Sequence, residues 1–453
     1  MSGKDWHAYG ARLERLAHEQ GLRFHPVEFE AVPDSFMMEV AVYGLPVRMP
    51  HWSFGVRYLY QLIHRHMGHS RLFEVVFPGN PGHAYLAAGN GPAENLLVTA
   101  HVLGHADFSR NNLLFQRCQS QVSDRIVEHA AEHARQIQQA IDTHGFARVE
   151  AVLDAALALE QHVDIDQPLR RGRYPGPAQP DRSAPEDAFR RRFAALEPAQ
   201  AAQSPPARRS APVPPHPERD LLWFVAQYGP ELESWERDIF LAVREESFYF
   251  YPVFATQIMN EGWASYWHAR LLREADFIPQ QAYLDAIKCH SDVVRPAAAD
   301  QQVALALNPY HLGLSIWEQI VAAQGLDAAF TIRAEDDDFA FIRNYLTREL
   351  ATDLGLFAYS ARDGRVRVLE ADIDALREAI LAPRYNFGAP TVLVENLAGD
   401  GTLELAHDHR VDGRGLDLER GRKVLEYVHR LWRRPVRLRT VDLEGRALEI
   451  RAP

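Results

Sequence analysis

Two histidines, His101 and His105, stand four residues apart in the segment HVLGHADFSRNN. In an α-helix, residues four apart lie on one face with Cβ atoms about 5–6 Å apart, so both imidazoles could bind one metal ion. The motif best known for this spacing, H-E-x-x-H, carries a glutamate base directly after the first histidine. This sequence has Val102 there. The pair therefore indicates a metal site, a metalloenzyme without its usual base, or two histidines in a core.

The surroundings of this pair favour a functional site. ENLLVTAHVLGHADF is otherwise apolar, and a histidine buried in such a helix needs a polar partner because an unpaired polar group is costly to bury. Gly104 weakens the helix by about 1 kcal/mol relative to alanine, so we expect another element to approach the backbone closely there. Asp107, Asn111 and Asn112 follow as a polar group that an ordinary core helix does not need.

A second pair with the same spacing, His129 and His133, has a different context. Glu128, Glu132 and Arg135 surround it, and mixed charges of this kind are typical of a solvated helix face. We therefore interpret this second pair as solvated surface rather than as a metal site.

Another chemically suggestive segment is NEGWASYWH, residues 260–268. Asn260 opens it, and helical periodicity places Glu261 and His268 on one face while aromatic side chains supply apolar bulk. A carboxylate in so hydrophobic a helix indicates an inward-facing acid with a chemical role, or a buried ion pair with Arg244 or Arg270. The sequence leaves both interpretations open.

A third group of polar residues lies in HSDVVRP and NPYHLG. It contains His290, Asn308, Tyr310 and His311, whose spacing matches no metal-binding template. Asn308 has the simpler role of a helix N-cap, and His311 falls on the first turn of the same helix. We retain the four as candidate residues lining a site.

The elements that must position these residues are mostly helical. The pattern predicts a first helix over 5–19 and a strand over 72–77, and apolar residues at every third or fourth position predict helices from Glu94 onward. NPYHLGLSIWEQIVAAQG is predicted to start with Pro309 at its first position and to end at Gly325. Short strands are therefore expected near the N-terminus, followed by a predominantly helical domain.

The C-terminal segment has a different period. From Tyr385 the pattern alternates every two residues, and TVLVENL, TLELAHDH, VRLRTVDL and ALEIRA are predicted strands, with LERGRKVLEYVHRLWR as a helix between the second and third. This ββαββ order predicts a small domain with one helix on an antiparallel sheet, which makes the fold class α+β.

The chain is accordingly divided into a main domain, an insert and a small domain. We assign 1–165 and 218–375 to the main helical domain and 383–453 to the small C-terminal domain. The segment 166–217 is rich in proline and arginine. It holds too few large apolar residues to order itself and is predicted to be a disordered insert.

Bulk composition excludes several functional classes. The formal net charge of −12 gives no basic field for nucleic acid, and no apolar run approaches the about 18 residues that span a bilayer. Two cysteines in 453 residues exclude a disulfide framework and suit a reducing cytoplasm. Nucleotide-binding glycine motifs and the G-x-S-x-G motif of hydrolases are also missing from the sequence.

The motifs together resemble a known family. NPGHAYL, HVLGHADFSRNN, MNEGWASYWH and NPYHLGLSIWEQI occur in this order and resemble the SpoVR family, named for stage V sporulation protein R, over nearly the whole chain. The resemblance implies a link to spore cortex formation or, in bacteria that form no spores, to a stress response. It also implies a PrkA-like serine kinase and a protein with a von Willebrand type domain as partners.

EGWASYW is in addition similar to the E-G-W-A-x-Y helix of gluzincin-like metallopeptidases. That similarity implies that Glu261 is the third ligand, after His101 and His105, of Zn²⁺ or another divalent metal, and His268 is a further candidate ligand. Because Val102 cannot accept a proton, a hydrolase of this kind needs another base. The nearest candidates in the sequence are Asp107 and Glu94, both as catalytic residues.

Two functional hypotheses follow from these patterns. The first is a metal-dependent hydrolase of peptide or amide bonds, centred on His101, His105 and Glu261. The second is a non-catalytic adaptor in a PrkA-like kinase pathway, in which the same residues form a buried polar network that fixes the core. Metal analysis tests the first hypothesis, and binding of the kinase together with measurement of turnover tests the second.

Overall fold

A computed structural model describes residues 6–66, 74–122, 125–167, 174, 213–294, 308–357, 359–362, 365–368, 372–411 and 413–452. The chain divides into two compact units. The first comprises Met1–Gln161 and Glu233–Ala389, and the second comprises His162–Leu232 and Pro390–Pro453. Most of the predicted insert, 168–173 and 175–212, lies outside the described residues.

The first unit is predominantly helical. Its helices are α1 Trp6–Glu19, α2 Asp34–Tyr43, α3 Trp52–His66, α4 Pro92–Asn111, α5 Leu113–Gln119, α6 Ile126–His144, α7 Phe146–Ala158, α9 Ser234–Ala255, α10 Gln257–Glu274, α11 Gln280–Val293, α12 Pro309–Gln324, α13 Leu326–Glu335, α14 Asp338–Tyr345, α15 Arg348–Asp353 and α16 Ile373–Leu381. Helix α8 Leu221–Tyr228 belongs to the second unit.

Three helices form the centre of the first unit, since α10 packs against both α4 and α12. Trp263 and Trp267 of α10 and Trp317 of α12 are fully buried between them, and the rings of Trp263 and Trp317 meet edge to face at 4.8 Å. Burying a large side chain of this kind contributes about 1.5–3 kcal/mol. The aromatic residues that flank Glu261 in the sequence therefore hold α10 in the middle of the core.

A small sheet lies near the N-terminus of the first unit, as the sequence predicts. Its strands are β1 Val27–Val32, β2 Glu74–Phe77 and β3 Gly82–Ala87. They are ordered β1-β3-β2, with β1 parallel and β2 antiparallel to β3. A separate hairpin pairs β4 Tyr359–Arg362 with β5 Arg365–Val368. Strand β2 is short, and its first residue, Glu74, lies opposite Leu86 of β3.

The second unit contains the predicted ββαββ pattern. Its elements are β6 Val392–Leu397, β7 Leu403–His407, α17 Leu418–Trp432, β8 Val436–Val441 and β9 Ala447–Ala452. The expectation of an antiparallel sheet is wrong for one pair, since β7 and β8 run parallel in the order β6-β7-β8-β9. The helix between them explains the difference, because a crossover helix returns the chain to the same end of the sheet.

Local signals predicted the boundaries of one central helix, α12. Helix α12 begins at Pro309, with the Asn308 side chain accepting the Tyr310 N–H, and ends before Gly325, as expected. Among the described residues, no helix is both long enough and apolar enough to cross a membrane.

Candidate metal centre

Helix α4 carries the two histidines. Its start is fixed by Glu94, whose Oε2 accepts the Gly91 N–H at 2.6 Å, and by Pro92 at the first helical position. Glu94, predicted as an alternative base, thus stabilises the N-terminus of the helix. It lies seven residues before His101, which is about 10 Å along the helix axis.

Small residues allow the central helices to touch. A Cβ added to Gly104 would lie 2.7 Å from the Cα of Ala264, so α4 and α10 are in backbone contact at this point. On the other side of α10, a Cβ on Gly262 would overlap the backbone of Gly313 in α12. The expectation of a close approach at Gly104 is confirmed. Side chains of α4 and α10 that flank this crossing can therefore contact one another.

Buried carboxylates set the position of α10. Asp338 of α14 accepts the N–H groups of Ile258 and Met259 at 3.0 and 2.9 Å, so it caps the start of the helix. Asp107 of α4 accepts the indole N–H of Trp263 at 3.0 Å and pairs with Arg333 at 2.8 Å. Asp107, predicted as a base, therefore joins three helices, and its carboxylate is fully buried in that role.

The predicted ligands converge. Oε2 of Glu261 lies 3.5 Å from Nε2 of His101 and 3.4 Å from Nε2 of His105. Among the described residues, these three form a group whose ligand atoms all lie within 4.8 Å of one another. Two ligands about 2.1 Å from one tetrahedral metal ion are about 3.4 Å apart. The distances from the Glu261 carboxylate to the two imidazoles therefore match those between neighbouring ligands in a tetrahedral site.

Two of these atoms lack hydrogen bonds. Nε2 of His101 and Oε2 of Glu261 are buried without a hydrogen-bond partner among the described residues. Buried polar atoms of this kind need an explanation, and a bound ion is one such explanation. Among the described residues, Glu261 does not form the alternative ion pair with an arginine. Glu261 pairs with the two histidines, and Arg270 pairs with Glu274 at 3.1 Å. The donor set of two imidazoles and one carboxylate fits a divalent metal ion.

The Nδ1 atom of each candidate ligand histidine contacts another side chain, which orients the imidazole. Oδ1 of Asn260 lies 2.9 Å from Nδ1 of His105, so the imidazole Nδ1–H donates to the amide oxygen and Nε2 faces Glu261. Nδ1 of His101 lies 2.9 Å from Nδ1 of His268. His268, a predicted ligand, thus contacts the far side of His101 and lies outside the three-residue group. Its own Nε2 lies 2.5 Å from Nδ1 of His290.

Glu74 of β2 was not anticipated from the sequence. Its Oε1 lies 3.9 Å from Nε2 of His101, which places a second carboxylate beside the centre. The signal was present in RLFEVVF, where one acidic residue interrupts an apolar strand. Tyr310, predicted to line the site, has its ring 6.0 Å from the His101 ring, centroid to centroid.

The ionisation of the centre follows from burial and from its charges. Burial, reinforced by neighbouring His105, lowers the pKa of His101. Burial opposes ionisation of Glu261, but the two histidines outweigh it and hold its pKa far below the ordinary value. The same carboxylate outweighs burial at His105 and raises the pKa of that imidazole. Burial, followed by the charge of Glu261, raises the pKa of Glu74 to about 7.

The other predicted residues have identifiable contacts. Asn111 donates to the backbone carbonyl of Asp107 at 2.6 Å, and Asn112 caps α5 and binds two backbone carbonyls at the end of α13. Asn308 caps α12 and donates to a carbonyl of α11. His311 is half-buried, and its burial lowers its pKa. These residues lie outside the three-residue group.

The second histidine pair differs from its prediction. His133 is buried rather than solvated, and it contacts Glu245 and Glu246 of α9 at 3.5 Å each. His129 binds Glu245 at 2.6 Å. The solvated-face interpretation is therefore wrong for His133, because α9 covers this side of α6.

Comparisons with known proteins agree on one family. Residues 2–387 match the family described as SpoVR like protein, and residues 391–443 match the SpoVR-like C-terminal domain. The chain is 27% identical over 490 residues to the Uncharacterized protein YcgB of Escherichia coli (strain K12), with 98% of this chain and 94% of that protein covered. No solved structure matches the chain. The chain therefore belongs to the SpoVR family.

Proposed function

We propose that this chain is a metal-dependent hydrolase of peptide or other amide bonds, with Zn²⁺ or another divalent metal held by His101, His105 and Glu261. The convergence of their ligand atoms at 3.4 and 3.5 Å carries the proposal. Two imidazoles and a carboxylate are the protein ligands of several catalytic zinc sites. When bound, the metal would supply Lewis acidity, which polarises a carbonyl and acidifies water.

Glu74 is the base in this proposal. Val102 cannot accept a proton, whereas a carboxylate oxygen of Glu74 lies 3.9 Å from Nε2 of His101, beside the candidate metal position. A carboxylate in this place is suited to taking a proton and returning it. We prefer Glu74 to Asp107 because the Asp107 carboxylate forms an ion pair with Arg333. We prefer it to Glu94 because the Glu94 carboxylate accepts the Gly91 N–H at the start of α4.

Tyr310 supplies a hydrogen-bond donor. The charge of Glu261, together with burial, raises the pKa of Tyr310 well above its ordinary value, so its hydroxyl stays protonated. A protonated phenol beside the centre can stabilise negative charge that develops on a substrate oxygen. Glu74 and Tyr310 are thus assigned proton transfer and charge stabilisation, respectively.

Metal analysis of the full chain, purified without an affinity tag, tests the metal site. We expect about one equivalent of a divalent transition metal in the wild-type chain, and loss of it from Glu261→Gln and from the double variant His101→Ala with His105→Ala. His129→Ala, which alters the other pair, is the matched control and should retain the metal. A wild-type chain that takes up no metal after incubation with Zn²⁺, Mn²⁺ or Fe²⁺ would refute the proposal.

The hydrolase assignment has its own test. The metal-loaded chain is incubated with a library of peptides and amides, and new amino groups are measured. We expect turnover that Glu74→Gln abolishes while its metal content stays at the wild-type value. If the loaded chain releases no amine from any member, the hydrolase assignment fails and the metal site stands.

A second candidate function is supported by the buried polar contacts. The hydrogen bonds between His101, His268 and His290 could fix the core without a metal, which suits a non-catalytic adaptor in a PrkA-like kinase pathway. In this alternative the cytoplasmic chain acts in sporulation or a stress response, with the kinase and a von Willebrand type domain protein as partners. If the metal-free full chain captures that kinase, the adaptor function is favoured. If neither the metal-free nor the metal-loaded chain captures the kinase, the adaptor function is contradicted.

A further inference from the structure

Three imidazoles form a continuous hydrogen-bonded chain that starts at the candidate metal centre. Nδ1 of His101 meets Nδ1 of His268 at 2.9 Å, and Nε2 of His268 meets Nδ1 of His290 at 2.5 Å. They lie on α4, α10 and α11, respectively. His268 is fully buried, while His290 is only partly buried. This chain of imidazoles thus leads from a buried candidate metal ligand, His101, to the more accessible ring of His290.

Each contact in this chain joins two nitrogen atoms and can hold only one proton. If both nitrogens carried hydrogen they would repel, and if neither did, no hydrogen bond would exist. In a neutral imidazole, one ring nitrogen donates and the other accepts, so the role of one nitrogen fixes the role of the other. The tautomers of His101, His268 and His290 are therefore coupled.

The three coupled rings have two alternative hydrogen-bonding arrangements, which differ in the direction of donation. When Nε2 of His101 binds a metal, its proton is on Nδ1, so His101 donates to His268, His268 donates to His290, and Nε2 of His290 carries hydrogen. When no metal is bound, Nε2 of His101 can carry the proton toward Oε2 of Glu261, 3.5 Å away. Every donor and acceptor in the chain is then reversed, and Nε2 of His290 becomes an acceptor.

We propose that this imidazole chain reports metal occupancy at His101 to the outer ring of His290, and that His268 is the positioning residue that makes His101 a ligand. The inference rests on the metal site of the proposed function. On metal release one proton binds Nε2 of His101, one crosses each N···N contact, and one leaves Nε2 of His290. Each ring forms one N–H bond and breaks one, so none of the three changes its net charge.

The orienting role predicts how metal affinity responds to substitution. A partner that accepts from the distal nitrogen of a ligating histidine is typically worth about 10- to 100-fold in affinity. We expect His268→Leu to weaken Zn²⁺ binding by that factor, measured by competition with a chromophoric chelator. His268→Gln should recover most of the affinity, because its amide oxygen can accept the Nδ1–H of His101. His129→Ala is the control, and its affinity should equal that of the wild type.

The reporting role is tested by the tautomers themselves. The full chain is labelled with ¹⁵N-histidine, and long-range ¹H–¹⁵N spectra are recorded with and without Zn²⁺, with His290→Gln identifying the signals of His290. We expect metal to move the hydrogen of His290 from Nδ1 to Nε2 in the wild type, and to leave it in place in His268→Gln, because an amide cannot relay the exchange. His129 should keep its tautomer throughout and serves as the internal control.

The outcomes separate this inference from the function on which it rests. If Zn²⁺ binds stoichiometrically but His290 keeps its tautomer, the reporting role is overturned and the metal site stands. If His268→Leu remains folded and binds Zn²⁺ with wild-type affinity, the positioning role is overturned. If the wild type binds no metal, the proposed function fails first and this inference fails with it.

Discussion

The crossing of α4 and α10 at Gly104 should determine whether the metal ligands can meet. In Gly104→Ala the new Cβ would lie 2.7 Å from the Cα of Ala264, whereas carbon atoms in contact are about 3.5–4.0 Å apart. The helices must therefore separate by about 1 Å. Overpacking of this kind costs about 1–3 kcal/mol, and the better helix propensity of alanine returns about 1 kcal/mol. The net loss of unfolding free energy should be only about 0–2 kcal/mol.

The effect on the metal should be larger than the effect on stability. Separation by about 1 Å would widen the gap between His101 and Glu261, now 3.5 Å, well beyond the about 3.4 Å that joins neighbouring tetrahedral ligands. We expect Zn²⁺ affinity, measured by chelator competition, to fall at least about tenfold, which is about 1.4 kcal/mol.

A matched glycine provides the control for this substitution. Gly55 of α3 has no neighbour within 4 Å of an added Cβ, so Gly55→Ala should keep its metal affinity and gain up to about 1 kcal/mol of stability. Wild-type affinity in Gly104→Ala would show that the close approach does not set the ligand geometry.

Three further predictions concern residues outside the candidate metal centre. Asp338→Ala should lower the unfolding free energy in urea, since each buried N–H group left without an acceptor at the start of α10 costs about 1–3 kcal/mol. At His133, burial lowers the pKa but two carboxylates of α9 outweigh it and raise it to about 9. The folded state therefore binds the imidazole proton of His133 more tightly than the unfolded state does. The stabilisation of the fold by protonated His133 should be complete below pH 6.5 and lost as the pH rises through 9, and His133→Gln should flatten the plot of unfolding free energy against pH in that range. Gly415→Ala should expose the second unit to proteolysis, because the Cβ would overlap the carbonyl of Asp442, whereas Gly399→Ala, with open space around it, should not.

Patterns that depend on neighbouring residues could be predicted from the sequence. The start of α12 at Pro309 needs only the Asn308 side chain and the proline itself, and both act within one turn. The alternating strands of the C-terminal segment likewise follow from the burial of one sheet face. The close approach at Gly104 could be inferred too, because a glycine inside a helix is costly unless another backbone needs the space.

Features that depend on distant residues could not be predicted. The start of α10 is set by Asp338, which lies 80 positions from the N–H of Ile258 that it accepts. His133 looked solvated because its own helix is charged, while the helix that buries it lies more than a hundred residues further along the chain. Glu74 joins the centre from a short strand, and no spacing rule relates a strand residue to a pair on a later helix.

The valine at position 102 illustrates how packing constrains the chemistry of this centre. In this fold Val102 is fully buried in the apolar core. An ionised glutamate at that position would be buried among hydrocarbon side chains, where an unpaired charge is very costly. The carboxylates at this centre come instead from other elements, Glu261 from α10 and Glu74 from β2. The departure from H-E-x-x-H therefore follows from which face of α4 meets the core, and it bears on the source of the base rather than on the capacity of the two histidines to bind a metal ion.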